Sequence, residues 1–337
     1  MPELALQTRF VNFIAWLRPP PEGIEEIRKQ RNQVKRRIQE KAEADGLLVR
    51  AMPAAGSFAK ATDLRRRLVD GVEHEGQDVD CAMVIADHGL DGDSPTELLP
   101  RFERYARACY PDARIERTRS SVKIRLTSAK VDYNLMPALA VGGADDEQIL
   151  LRPRGERPRT SIQKHVDFVR RRTEQTQELR GPVLFNEAVR LVKWWREQEL
   201  SSSAFIEEIP SFLVELLCAK AFDAASIWAG YAETLMAWFD QIRSYAARRS
   251  DVTFDGAVPE PDRDTAPWRV IDPVNAENNA VPASWGDLQI EELCDWAGRA
   301  KETLRHAIAA ELRGRSADAV TLVTEILGSS FRVHSEA

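Results

Sequence analysis

Two aspartates one residue apart, a third further on and a Gly-Ser pair upstream are the residues whose types and spacing suit chemistry. They are Gly56-Ser57 in PAAGSFAKAT, Asp78 and Asp80 in GQDVDCAMVI, and Asp132 in KVDYNLMPAL. Residues two apart in a strand point to the same face, so Asp78 and Asp80 are predicted to present their carboxylates side by side. Like charges that close repel unless a cation sits between them, and carboxylate oxygens are hard donors suited to Mg²⁺ or Mn²⁺. With Asp132 from a neighbouring strand, the set is expected to hold two metal ions, which clamp the attacking and leaving oxygens of a phosphoryl displacement. That chemistry is transfer of a nucleotide from a nucleoside triphosphate. Taken singly, an Asp-X-Asp pair also fits a solvated strand end and a Gly-Ser pair an ordinary turn. Their order along the chain, each in the context the chemistry needs, carries the reading.

The turn must place phosphate beside the carboxylates. Gly56 permits a tight turn after the strand-like stretch 47–52, and the residues after it can open a helix whose free N–H groups suit a phosphate. Ser57 adds a hydroxyl, as phosphate donor or as helix cap, with Lys60 and Thr62 close behind it.

These pieces resemble the polymerase-beta-like nucleotidyltransferases, and within them the CD-NTases, bacterial relatives of cyclic GMP-AMP synthase and oligoadenylate synthetase. GSFAKATDLR, DVDCAMVI and VDYNLMPAL fill the family's slots, although LRRRLVDGVEHEGQ lengthens the usual spacing and reads as an inserted loop. NEAVRLVKWWREQ looks like a family helix that carries a lysine before an aromatic pair; Leu184 just before it and Ala188, Leu191, Val192 and Trp195 within it recur at helical spacing, and Lys193 falls off that stripe. Lys193 is either a surface lysine or, as in the family, a triphosphate contact. IPSFLVELLCAKAFD is similar to the next family helix, in which Ser211 is a second phosphate donor or a cap. VIDPVNAENN resembles a later Asp-Pro segment ending in paired Asn. ILLRPRGERPRTSIQKHV looks like the segment joining the two halves; His165 there is expected to be structural, beside Thr160 and Ser161.

The resemblance implies two bound metal ions, nucleoside triphosphate substrates with ATP among them, and closure of a linear product into a cyclic di- or trinucleotide for anti-phage signalling. It also implies a possible HORMA-type activating protein. A tRNA-end-adding enzyme of the archaeal type shares the catalytic half and is the alternative; a non-enzymatic binding protein is a third reading, against which all three aspartates speak.

The elements that must position these residues follow from periodicity. Helices are expected over 4–17, from residue 24 to about 44, and over 97–109, 162–177, 182–199, 210–224, 229–247 and 287–313. Strands are expected near 47–52, 79–86, 114–117, 121–127 and 130–135, with a Gly/Asp loop over 87–94 and a turn over 127–129. The fold class is α+β: a bilobal nucleotidyltransferase fold, with an N-terminal mixed sheet flanked by helices over 1–155, a helical lobe over 156–328 and a flexible tail over 329–337. A chain of 337 residues, 43% hydrophobic and 30% charged, suits a soluble globular protein. The net charge of −6 argues against coating of nucleic acid, despite basic runs at 65–67, 152–159 and 170–172, and no sequence-specific nucleic acid partner is expected. Cys81, Cys109, Cys218 and Cys294 form no Cys-X-X-Cys pair, which excludes a zinc site of the usual spacing. Residues 1–16 carry Glu3 and Arg9 and do not read as a signal peptide, and no stretch reaches the length of a membrane span, so a cytoplasmic location is expected.

Overall fold

The computed structural model describes residues 5–69, 71–86, 97–118, 120–126, 131–141, 144–150, 159–255 and 266–336. The loop expected over 87–94, the turn over 127–129 and most of the basic run 152–159 lie outside them. The chain divides into two compact units, residues 19–65 with 75–168, and residues 1–18 with 66–74 and 169–337. Among the described residues, no helix is long and apolar enough to cross a membrane.

The first unit is a mixed sheet with helices. Its long helix α2 (Pro21–Ala44) starts with Pro at its first position, where the missing N–H costs nothing. Strand β1 (Val49–Ala51) pairs antiparallel with β4 (Gln77–Ile85), which runs parallel to β7 (Val131–Val141). Strands β5 (Arg114–Arg117) and β6 (Val122–Arg125) extend the sheet as an antiparallel pair, β6 lying against the first half of β7. The second half of β7 pairs with β8 (Ala144–Leu150), and β8 with β9 (Arg159–Thr160). The alternation in DVDC, VDYN and VKIR decides the faces. Val79, Cys81, Tyr133, Leu135, Val122 and Ile124 are buried against Val34, Ile38 and Ala42 of α2 and Leu98, Phe102 and Ala106 of α4 (Leu98–Cys109). The intervening polar positions share the opposite face, which is where chemistry can occur.

The second unit is helical, apart from the hairpin β2 (Arg66–Val69) and β3 (Val72–Glu75). Most of the stretch expected as an inserted loop thus lies in paired strands, and Gly71 has a φ of +74°, which suits glycine. Arg66 donates to Trp16 O at 2.8 Å and lies over the Trp16 ring, 4.4 Å from its centroid. Helices α1 (Leu6–Leu17), α6 (Phe185–Leu200), α7 (Ser211–Ala225), α8 (Tyr231–Arg248), α9 (Asp287–Leu312) and α10 (Ser316–Leu327) fall here, and α5 (Ile162–Glu178) spans the division at residue 168. Phe10, Phe13, Trp194, Trp195, Trp238 and Trp268 supply its buried aromatic mass. The Asp-Pro segment is a self-bonded turn: Asp272 accepts from Val274 N (2.8 Å) and Asn278 Nδ2 (3.0 Å), and Asn279 Oδ1 from Val270 N (2.9 Å).

Two expectations about the ends of the lobes need correction. Helix α1 belongs with the helical unit, because its apolar face packs there, Phe13 lying edge-on to Trp194 at 6.1 Å. The tail over 329–337 is not loose through residue 334: it forms α11 (Ser329–His334), with Phe331 fully buried between Phe10 (5.3 Å) and Phe13 (5.2 Å). Phe331→Ala is expected to destabilise the protein by roughly 3–5 kcal/mol, read as a lower midpoint in a urea melt. A shift under about 1 kcal/mol in that melt is what a loose tail would give.

Candidate active site

Register settles which carboxylates meet. Asp78 and Asp132 are direct partners across the parallel β4–β7 pair, and Asp80 faces Asn134 one pleat further on. In-register neighbours share a face, so all three aspartates point away from the apolar core. Asp78 is the most open, its side chain 47% exposed, against 17% for Asp132. Asp80 lies deeper and accepts from Asn134 Nδ2 at 3.2 Å. Burial pushes the Asp80 carboxyl above the ordinary carboxylate range; the Asn134 hydrogen bond opposes this, and the Asp78 charge adds to it.

The Gly-Ser turn reaches the same place from the other side of β4. An isolated bridge from Ala54 to Cys81 leads the chain into it, and Gly56 adopts φ +70° at the start of the one-turn helix α3 (Gly56–Ala59). A Cβ at Gly56 would collide with the Asp80 carboxylate, so glycine is required for two independent reasons. Ser57 is half-buried, and its carbonyl accepts from Thr62 N at 3.0 Å. Lys60 is near enough for its charge to favour ionised Asp80. Thr62 itself is fully buried, so its place is behind the turn and its hydroxyl is not presented to solvent.

The turn is anchored by Lys35, a residue of α2 that no motif in the sequence singles out. Its Nζ donates to Met52 O (2.9 Å) and Pro53 O (2.8 Å), and the side chain is 4% exposed. Burial lowers its pKa to about 8 from 10.5, with the Arg31 charge helping and Cys81 opposing. The folded state thus favours the neutral amine relative to the unfolded chain. This group's contribution to stability is smallest below pH 8 and grows as pH rises from 8 to 10.5, by up to about 3 kcal/mol. Urea melts of the protein and of Lys35→Met should show the difference in stability between them widening across that window. A difference that stays flat with pH would show that the amine is not titrating in the interior.

The helical unit carries the other two expected site residues. Lys193 does not stand off the buried stripe: it is 2% exposed, and its Nζ pairs with Glu215 at 2.7 Å. Ser211 is exposed at the first turn of α7, with no side-chain cap bond; its Oγ accepts from Arg196 at 2.7 Å. Thr160 Oγ1 lies 3.4 Å from His165 Nδ1, and Ser161 Oγ accepts from Lys164 N at the start of α5, in keeping with a structural role for this segment.

Three site residues were not foreseen. Lys123 and Arg125 of β6 share the face of the aspartates, since they pair in register with Asn134 and Asp132. Lys123 Nζ lies 2.9 Å from Asp78 Oδ1 and 3.6 Å from Asp132 Oδ2, while Arg125 Nε donates to Asp132 Oδ2 at 3.0 Å. Asn134 is the third, through its bond to Asp80. Among the described residues no three Asp, Glu, His or Cys side chains stand close enough to hold one ion. Positive charge is supplied to Asp78 and Asp132 by the two cations of β6. The donor set nonetheless fits a hard divalent cation: three carboxylates share a face, and beside them Asn134 Oδ1 is buried with no hydrogen-bond partner.

A sheet with this Asp-X-Asp strand, third aspartate and glycine turn has clear relatives. Residues 4–152 match the family model of the Second Messenger Oligonucleotide or Dinucleotide Synthetase domain. The cyclic AMP-AMP-AMP synthase of Escherichia coli (strain MS 115-1) is 28% identical over 320 residues, covering 90% of this chain and 91% of that protein. The structure of E. coli MS115-1 CdnC in complex with HORMA-deltaN superposes with a TM-score of 0.77 at 24% identity, covering 97% and 98% of the two chains. Vibrio cholerae DncV cyclic AMP-GMP synthase gives 0.70 at 13% identity, covering 98% of each. The fold is the α+β nucleotidyltransferase fold of these enzymes, and the CD-NTases are the proteins that the chain is similar to in both sequence and fold.

Proposed function

We propose that the protein joins ribonucleoside triphosphates, releasing pyrophosphate, into a cyclic di- or trinucleotide second messenger that serves anti-phage signalling. The observation that carries this reading is the in-register pairing of Asp78 with Asp132, with Asp80 set directly behind the glycine turn. The similarity to a cyclic AMP-AMP-AMP synthase supports it and favours ATP among the substrates.

Asp78, Asp80 and Asp132 are assigned as the holders of two Mg²⁺ or Mn²⁺ ions, and Gly56, Ser57 and Lys60 as the phosphate-facing turn. When bound, the ions supply positive charge to the phosphates and lower the pKa of the acceptor hydroxyl. Gly56 lets the backbone of the turn approach Asp80 without a side chain between them, and Ser57 offers a hydroxyl donor. Lys60 adds charge on the same side of the cluster. Ser211 is an exposed hydroxyl at the start of α7 and is assigned a phosphate-donor role in the helical unit. Lys193 would have to give up Glu215 to reach a phosphate. In the reaction the acceptor oxygen bonds to the α-phosphorus, the bond to the β-phosphate breaks, pyrophosphate leaves, and the hydroxyl proton is lost to water. Most of the rate comes from holding the two nucleotides in line.

The test is incubation with the four ribonucleoside triphosphates and Mg²⁺ or Mn²⁺, followed by phosphatase and mass spectrometry. A phosphatase-resistant species with the mass of a cyclic nucleotide supports the reading; labelled tRNA ends in a parallel reaction would replace it with end addition. Since a CdnC structure contains a HORMA protein, the incubation is repeated with a HORMA-type partner, proposed here as the activator.

A further inference from the structure

The cations of β6 raise a question that a metal-dependent reading leaves open. A strand face carrying Asp78, Asp80 and Asp132 would repel itself, yet two of the three carboxylates are already compensated. Lys123 makes the compensation in a particular way: its ammonium lies between Asp78 Oδ1 at 2.9 Å and Asp132 Oδ2 at 3.6 Å, bridging the two residues that pair across β4 and β7. This is not a freely solvated surface pair, because Lys123 is only 14% exposed and Asp132 only 17%. Arg125 serves Asp132 alone among the aspartates, and its other carboxylate is Glu116 at 3.7 Å.

We propose that Lys123 is an internal counter-ion which holds Asp78 and Asp132 when no divalent cation is bound and must withdraw for one to enter, so that it sets the cation concentration at which the site fills. The inference rests on the reading of the three aspartates as a metal-binding set. Ammonium and divalent cation seek the same carboxylate oxygens and repel each other, so the two states exclude one another. The fold provides a place for the withdrawn side chain. Glu116 of β5, which already pairs with Arg114 and Arg125, is the cross-strand partner of Lys123 on the side away from Asn134, and a lysine on the same face can join that cluster. Lys123 can therefore exchange Asp78 for Glu116 by turning about its own side-chain bonds, with β6 unmoved.

The experiment follows free Mn²⁺ by its electron paramagnetic resonance signal during titration of the full chain. The protein is compared with Lys123→Met, Lys123→Gln, Lys123→Arg and Asp80→Asn, and folding of each is checked by a thermal melt. Binding lost in Asp80→Asn identifies the site. Lys123→Met and Lys123→Gln should bind Mn²⁺ at that site roughly tenfold more tightly, the scale on which one neighbouring charge shifts a carboxylate's proton affinity. Lys123→Arg should stay near the unsubstituted protein. Their melts should also invert: less stable than the parent without metal, more stable with it. If binding depends on Asp80 but Lys123→Met and Lys123→Gln bind no more tightly than the parent, the counter-ion inference is overturned and the metal reading stands. If neither the parent nor the Lys123 variants bind Mn²⁺ in an Asp80-dependent way, both fall together.

Discussion

Asp80→Asn should cut product formation by about 10²–10³-fold, while leaving the protein as stable as before or slightly more so. The loss of rate follows from removing a charged ligand for groups that act only in the transition state, where one such interaction is worth roughly 3–4 kcal/mol. Stability should move the other way. Asp80 is half-buried, and desolvation pushes its carboxyl above the ordinary range, so folding disfavours its charge. Asparagine has nearly the same shape, carries no charge and can still accept from Asn134 Nδ2, which donates to Asp80 Oδ1 at 3.2 Å. A raised folded pKa means a contribution that is full below the unfolded pKa and lost as pH climbs through the folded one. The gain in Asp80→Asn should accordingly appear at neutral pH and vanish in acid. Product yield and a denaturant melt on the same preparation separate the two effects. An inactive variant that is also markedly unstable would mean that Asp80 is structural.

Gly56→Ala should be nearly as damaging to activity, by about 10²-fold or more, but with a different signature. The new methyl group would occupy the space of the Asp80 carboxylate, and the backbone there has φ +70°. An alanine in the left-handed region loses roughly 1–2 kcal/mol, and a displacement of about 1 Å in a reacting group is enough to lose a hundredfold in rate. Stability and activity should thus fall together, unlike in Asp80→Asn. Turnover at saturating nucleotide, with a urea melt beside it, reads both. Full activity in Gly56→Ala would show that the turn does not need to lie against Asp80.

Helices with a clear apolar stripe were legible in the sequence to within a few residues: α9, expected over 287–313, is Asp287–Leu312. Strand β5 was legible too, because RIER alternates between a buried Ile115 and polar neighbours. The hairpin β2–β3 escaped although Asp70-Gly71 between Leu68-Val69 and Val72 is a turn signal, since its charged strands have no apolar face of their own. Helix α10 had the right spacing in Ala319, Val320, Val323, Ile326 and Leu327, yet it follows α9 after only a short break at 313–315. Of the site, the aspartates and the glycine turn were visible because their chemistry is written in residue type. The partnership of Lys123 and Arg125 with them was not, because it depends on the register of β6 against β7, which no local pattern fixes. Burial of Lys193 beside Glu215 was hidden for a similar reason, as the two sit on different helices 22 positions apart.

Phe331, wedged among the rings of α1, governs when the helical unit can become whole. Arg9 and Ser335, hydrogen-bonded at 3.2 Å, are 326 positions apart in the chain. During synthesis, Phe10 and Phe13 of the nascent α1 can meet Tyr231 and Trp194 but lack their Phe331 partner until residues 329–334 emerge, whereas most strands of the sheet have their partners early. Synthesis therefore supplies every strand that carries a carboxylate well before Phe331, so the catalytic sheet can assemble ahead of the ring that closes over α1.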